Sequence, residues 1–179
     1  FANSCVWYSQ LITKKLGERK FSDYTRLFQY GNQDVSGDKG LHNGLATSWL
    51  SSSLAISPKE QIAFLNKLVA NTLPVSQYAQ EKTKSIMVQE ALADGWVLYG
   101  KTGNGSQLDV NGQKIKDRQV GWFVGFLRKK ETIITFVQLI ADEEKQDTYA
   151  SLRARSASKK TWQKLLSDPV SLLNDNNSM

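Results

Sequence analysis

The apolar run Trp96-Val97-Leu98-Tyr99-Gly100 reads as a strand, and it leads straight into Lys101-Thr102-Gly103. A strand end of that composition offers a cation, a hydroxyl and a stretch of backbone with no side chain over it. Together these suit a carboxylate-bearing ligand lying along the strand edge, where a larger residue than Gly103 would clash. Three other short strings carry groups able to do chemistry. Ser4-Cys5-Val6 opens an amphipathic pattern, Tyr30-Gly31-Asn32 sits in a polar stretch, and Trp49-Leu50 lies just ahead of Ser57-Pro58. Each alone says little: a serine at a helix start is usually a cap, and a tryptophan usually fills a core. Their order, in contexts of helix, loop and strand that fit, is the specific signal.

The elements that must position these groups follow from periodicity. Val6, Trp7, Leu11, Ile12 and Leu16 recur at helical spacing, with Gly17 where the helix stops. A second short helix is predicted over Phe21 to Phe28, and a loop over Tyr30 to Gly44. Ser57-Pro58-Lys59-Glu60 is a helix start, with a cap, a first-position proline and an acid in the first turn. After Pro74 another helix is predicted from Val75 to Leu92. Strands are expected at Trp96 to Gly100, Val120 to Leu127 and Thr132 to Ala141, with a hairpin connection over Gly105 to Lys116 turning at Asn111-Gly112. A charged loop over Asp142 to Asp147 precedes a closing helix from Tyr149 to Leu166, and the Asn-rich end after Pro169 is expected to fray. Helices, then an antiparallel meander, then a helix: the fold class is α+β, an antiparallel sheet flanked by helices with a helical subregion. The expected unit is a single domain, helical over about 1–92, with sheet and closing helix over about 93–168.

Composition narrows the function. The chain has 179 residues, 40% apolar and 22% charged, ordinary for one globular unit. Its net charge of +6 is dispersed among interleaved acids, which describes a basic surface and not a nucleic-acid footprint. One cysteine, Cys5, allows no internal disulfide, and one histidine, His42, argues against a Ser-His-Asp triad or a histidine-rich metal site; no metal is expected. No apolar run approaches the ~20 residues of a membrane span. Phe1-Ala2-Asn3 is neither a signal peptide nor an initiator, and a helical pattern follows at once, so the sequence reads as the downstream part of a longer polypeptide.

The ordered strings resemble the class D (oxacillinase-type) branch of the penicillin-recognising serine enzymes, over roughly Phe1 to Leu166. Ser4-Cys5-Val6 matches its Ser-x-Val, Tyr30-Gly31-Asn32 its Tyr-Gly-Asn, Trp49-Leu50 its tryptophan-leucine and Lys101-Thr102-Gly103 its Lys-Thr-Gly. The resemblance implies a β-lactamase/transpeptidase-like fold and hydrolysis of β-lactams through a serine acyl-enzyme. It implies that Ser4, Lys101 and the N–H of Asn104 act in catalysis, Ser4 as a proton relay and Asn104 as half of an oxyanion hole. Val6, Thr102, Gly103 and Arg153 would bind substrate, with Arg155 the second choice for the carboxylate-binding arginine.

Val6 and Trp49 resemble the residues that surround the general base of this branch, a lysine carboxylated by carbon dioxide. No other cofactor is implied. That lysine and the nucleophile belong to a Ser-x-x-Lys which in the family lies upstream of Ser-x-Val, so they are expected on a segment preceding Phe1. The literal match Ser156-Ala157-Ser158-Lys159 stands after Lys-Thr-Gly, in the wrong order, and reads as coincidence. The expected partners are β-lactam small molecules and that upstream segment, with no nucleic acid; a homodimer is compatible. A periplasmic or secreted location follows from the resemblance alone. The alternative is the penicillin-sensing domain of a membrane receptor, acylated without turnover; a cell-wall transpeptidase ranks third.

Overall fold

The computed structural model describes residues 4–167; the end of the chain, where fraying is expected after Pro169, lies outside the described residues. The helices are α1 (Val6–Leu16), α2 (Glu18–Leu27), α3 (Gly44–Thr47), α4 (Pro58–Val69), α5 (Gln77–Ser85) and α6 (Ala150–Ser167). The strands β1 (Val88–Ala91), β2 (Val97–Leu108), β3 (Lys114–Lys129) and β4 (Thr132–Ala141) pair antiparallel in the order β1-β2-β3-β4.

Alternation along the strands builds two apolar layers. Leu98, Phe123 and Leu127, with Phe136, bury one face of the sheet against Ala154, Trp162 and Leu166 of α6. The opposite face puts Phe126 and Tyr99 against Leu68, Phe64 and Phe28 of the helical subregion, with Tyr99 stacked on Phe126 at 4.5 Å. The sheet is therefore the middle layer, and β2 and β3 hold its centre.

Local signals explain most boundaries. Ser57 and Glu60 form a reciprocal capping box on α4: the Glu60 N–H donates to Ser57 Oγ, and the Ser57 N–H donates to Glu60 Oε2 at 2.8 Å. Gly17 stops α1, its N–H donating to Thr13 O at 2.9 Å. The hairpin turns at Asn111-Gly112 with Gly112 at φ +77°, but β2 and β3 run further into the connection than their apolar runs suggest.

One expectation is corrected. The helix predicted from Val75 to Leu92 ends at Ser85, and Val88–Ala91 is a strand paired with β2, Val88 opposite Tyr99. Pairing with an edge of β2 that would otherwise be bare outweighs the helical periodicity, a tertiary effect with no local signal. The helical part thus yields to the sheet at Val88, a few residues before the expected boundary near residue 92.

Candidate functional site

Beyond β1 the edge of β2 is left uncovered by the described residues, and the site is built around that gap. β1 reaches along β2 only as far as Tyr99. The Gly100 N–H donates to Met87 O at 2.8 Å, and Gly100 O accepts from Gln89 Nε2 at 2.9 Å, so the backbone of Gly100 points toward the β1 side. In a pleated strand every second residue points the same way, which turns the N–H and C=O of Thr102 and Asn104 outward to that side as well. At Ser106 the edge is occupied again, its N–H donating to Ser51 Oγ at 2.9 Å. The result is a gap at Thr102 and Asn104, with β1 at one end and the loop after Trp49 at the other.

Lys101 and Ser4 meet at this gap. Lys101 Nζ donates to Ser4 Oγ, to Thr102 O at 2.6 Å and to Thr102 Oγ1 at 3.4 Å. Ser4 precedes α1 in a left-handed conformation, φ +51°, and is exposed. Burial holds the Lys101 ammonium below the ordinary lysine pKa, since desolvation penalises the charged form. Gly103 and Asn104 are exposed. A Cβ on Gly103 would sit 3.7 Å from Trp122 Cβ, an ordinary contact, so packing within the chain does not demand a glycine there.

Tyr30-Gly31-Asn32 serves as a staple. The hydroxyl of half-buried Tyr30 donates to Gln61 Oε1 at 2.9 Å on α4, and desolvation raises its pKa. Gly31 lies at φ +54°, and a Cβ there would fall 2.0 Å from Ala55 O. Asn32 donates from Nδ2 to Ser53 O at 2.8 Å and accepts the Ala55 N–H at 3.0 Å. The motif therefore fixes the loop that carries Trp49, Leu50 and Ser51. Ser52 Oγ donates to Asp38 Oδ1 at 2.8 Å, and the hydrogen bonds from Asn43 and Ser52 lower the Asp38 pKa. Trp49 is half-buried and edge-on to Phe21, centroids 6.0 Å apart. Its indole N–H has no hydrogen-bond partner among the described residues, nor does the buried Ser48 Oγ next to it.

Arg153 lies in the first turn of α6, and its Nη2 donates to both oxygens of buried Asp142 at 2.6 Å. Arg155, one step aside, is half-buried on the same helix. Val6 is 42% exposed at the start of α1. The Ser156–Lys159 string lies within α6, where Ser158 is buried and Lys159 Nζ pairs with Glu90 Oε2 at 2.7 Å. Sequence reasoning did not single out Ser51, Gln119 or Asp142. Each acts through a long-range contact, and no short string announces it. Among the described residues no cluster of His, Cys, Asp or Glu could hold a metal ion.

The described residues thus form an antiparallel sheet between helical layers, with a gap in one strand edge beside a lysine and two hydroxyls. Residues 1–162 match the penicillin binding protein transpeptidase domain. The chain is 47% identical over 154 residues to beta-lactamase OXA-9 of Klebsiella pneumoniae, covering 86% of this chain and 56% of that protein. It is 47% identical over 127 residues to beta-lactamase OXA-1 of Escherichia coli, covering 71% of this chain and 44% of that one. The crystal structure of the OXA-427 class D β-lactamase superposes with a TM-score of 0.85 at 43% identity, covering 92% of this chain and 67% of that chain. The chain belongs to the penicillin binding protein transpeptidase family, in its class D β-lactamase branch. It spans about half the length of the curated relatives it matches.

Proposed function

We propose that this chain is part of an enzyme that hydrolyses β-lactam antibiotics through a serine acyl-enzyme. The observation that carries the reading is the gap in the β2 edge at Thr102 and Asn104, with Lys101 and Ser4 joined beside it. A β-lactam amide laid along that edge would point its carbonyl oxygen at the Asn104 N–H. There, developing negative charge is stabilised by a donor fixed in advance. Its carboxylate would meet the Thr102 hydroxyl, with the positive field of Lys101 beside it, while the Arg153 guanidinium is already paired with Asp142. When the serine oxygen bonds to the acyl carbon and the ring C–N bond breaks, the nitrogen needs a proton. Ser4, already hydrogen-bonded to the Lys101 ammonium, is placed to relay one. Gly103 fits the same picture, since packing among the described residues does not require a glycine there.

The nucleophile and the general base are assigned to an upstream segment packed on α1. Two observations support this. Trp7, Tyr8, Leu11 and Ile12 form an exposed apolar face on α1, and the adjacent Ser48 Oγ and Trp49 N–H lack partners among the described residues. A lone indole N–H suits an anion and gives nothing to a free ammonium, so the donor set fits a lysine carrying carbon dioxide as a carbamate. That group would supply general-base chemistry, for the proton of the attacking serine and for that of the hydrolytic water, with Trp49 and Val6 lining it. A periplasmic or secreted location accompanies this reading.

The test is turnover of a chromogenic cephalosporin by the polypeptide that includes the upstream segment. Steady multiple turnover is expected; a single stoichiometric acylation that persists would replace the enzyme with a sensor. In the same assay Trp49→Phe keeps most of the volume and removes the donor. It should fold in a near-normal, acylation-competent form and turn over roughly ten- to a hundredfold more slowly, with partial recovery in bicarbonate. Turnover at the parent rate without bicarbonate would reduce Trp49 to a core residue.

A further inference from the structure

The first N–H groups of a helix have no partner inside it and must find acceptors elsewhere. α6 runs for 18 residues, has no acidic residue in its first turn, and is preceded by Tyr149, which has no acceptor suited to capping. Its acceptors come from the sheet. The Ser151 N–H donates to Asn104 Oδ1 at 3.1 Å, and the Ala150 N–H donates to Gln119 Oε1 at 3.3 Å. Asn104 Nδ2 closes the triangle by donating to Gln119 Oε1 at 3.1 Å. Gly121, directly opposite Asn104 on β3, makes the approach possible, because a Cβ there would fall 2.1 Å from the carbonyl carbon of Ala150.

Gln119 is also the hub toward Arg153. Its carbonyl accepts the Asp142 N–H at 2.9 Å and Gln107 Nε2 at 3.2 Å, and Asp142 in turn holds the Arg153 guanidinium. The residue whose N–H faces the edge gap is thus held through its own side chain by the helix that carries the arginine.

We propose that the Asn104 carboxamide is a positioning group for the acylation step, with Gln119 as its support. By capping α6 it fixes the strand at Asn104 and so fixes the aim of the Asn104 N–H into the gap. This rests on the functional reading above and deepens it, naming what holds the oxyanion donor in place. Aim matters because a preorganised donor loses much of its effect when displaced by a fraction of an ångström, and losing one outright costs about 10²–10³ in rate. A donor left in place but no longer clamped should lose a smaller part of that, about tenfold.

The experiment uses the full polypeptide with its upstream segment, active-site titrated so that only folded molecules count, and single-turnover acylation by a slowly reacting penicillin. Asn104→Ala should lower the acylation rate constant about tenfold while the dissociation constant before acylation stays within about twofold. Gln119→Leu, which leaves Asn104 in place, should do the same, and it keeps the test open if Asn104→Ala does not fold. Gln119→Glu retains the acceptor for Ala150 and Asn104 and should stay within about threefold of the parent. A cap with only a structural role would lower the melting temperature and leave the rate per folded molecule unchanged. Parent-like acylation in both Asn104→Ala and Gln119→Leu would therefore overturn the proposal with the functional reading intact. A parent protein that no β-lactam acylates is a different result, and it removes the reading and the clamp together.

Discussion

The sheet with α6 and the region around α1 bury their apolar residues in opposite ways. In the sheet half, Leu98, Phe123, Leu127 and Ala154 are completely buried, and the polar groups at the start of α6 find partners in Asn104 and Gln119. In α1 the one buried residue is Thr13, whose hydroxyl donates to Leu45 O, while Trp7 is 62% and Leu11 48% exposed. Polar contacts, Gln10 to Ala46 among them, tie α1 to α3 and leave its apolar face outward. The half that would hold the substrate is closed by itself. The half that would face the nucleophile is held from behind and open in front. On the proposed reading, a site made in this way would keep the edge gap and the Asn104 N–H on a finished core, while the reacting side chains would meet across an interface.

The largest effect should come from the closed half. Phe123 is fully buried between β3 and α6, and Phe123→Ala should cost ~3–5 kcal/mol in urea unfolding, the usual cost of an aromatic-sized cavity. A loss below ~1 kcal/mol would mean that the sheet half is less closely packed than its burial indicates.

An effect of intermediate size is expected where the two halves meet, at Lys101 and Ser4. Burial disfavours the Lys101 ammonium in the folded protein, so its proton leaves at a lower pH than from an exposed lysine. As pH rises through that lowered value, Ser4 loses the cation beside it, and acylation should fall about tenfold per pH unit. Stability moves in the other direction. Between the lowered folded value and the ordinary one the unfolded chain binds more protons, so this group makes the fold gain stability as pH rises. The check is the pH profile of acylation in the full polypeptide beside that of Lys101→Arg, whose guanidinium keeps its proton and should abolish the alkaline limb. An alkaline limb at the ordinary lysine value would show that Lys101 is not desolvated where it acts.

Legibility in the sequence divides along the same boundary between local and long-range causes. The capping box at Ser57 and Glu60, the stop at Gly17 and the turn at Asn111-Gly112 are set by neighbours in the chain, and each is readable there. Lys101-Thr102-Gly103 and Ser4 are readable as motifs, but their meeting joins residues 97 positions apart and depends on the whole fold. The strand at Val88–Ala91 escaped because its cause is the bare edge of β2. Gln119 escaped for the same reason. It looks like any polar strand residue until the register places it opposite Ser106 and beside Asn104, under the start of α6. Arg153 was picked out by its place in the family pattern, but its tie to Asp142 could not be seen.

The smallest effect, and the sharpest test of the contrast between the halves, is expected at Leu11. In the 179-residue chain Leu11 is half in solvent on the open face of α1, so Leu11→Ser should change the unfolding free energy by no more than ~0.5 kcal/mol, as surface substitutions usually do. In a polypeptide where an upstream segment packs on α1, the same side chain would be buried. The identical change should then cost ~1.5–3 kcal/mol, the transfer free energy of a leucine side chain. The informative quantity is the difference between the two polypeptides' losses, because it cancels any helix-propensity penalty of serine, which both share. A difference near zero would mean that nothing covers α1 at Leu11, and the nucleophile would have to approach the Lys101–Ser4 pair from another side. A difference of ~1 kcal/mol or more would identify α1 as the surface on which the two parts of the active site are joined.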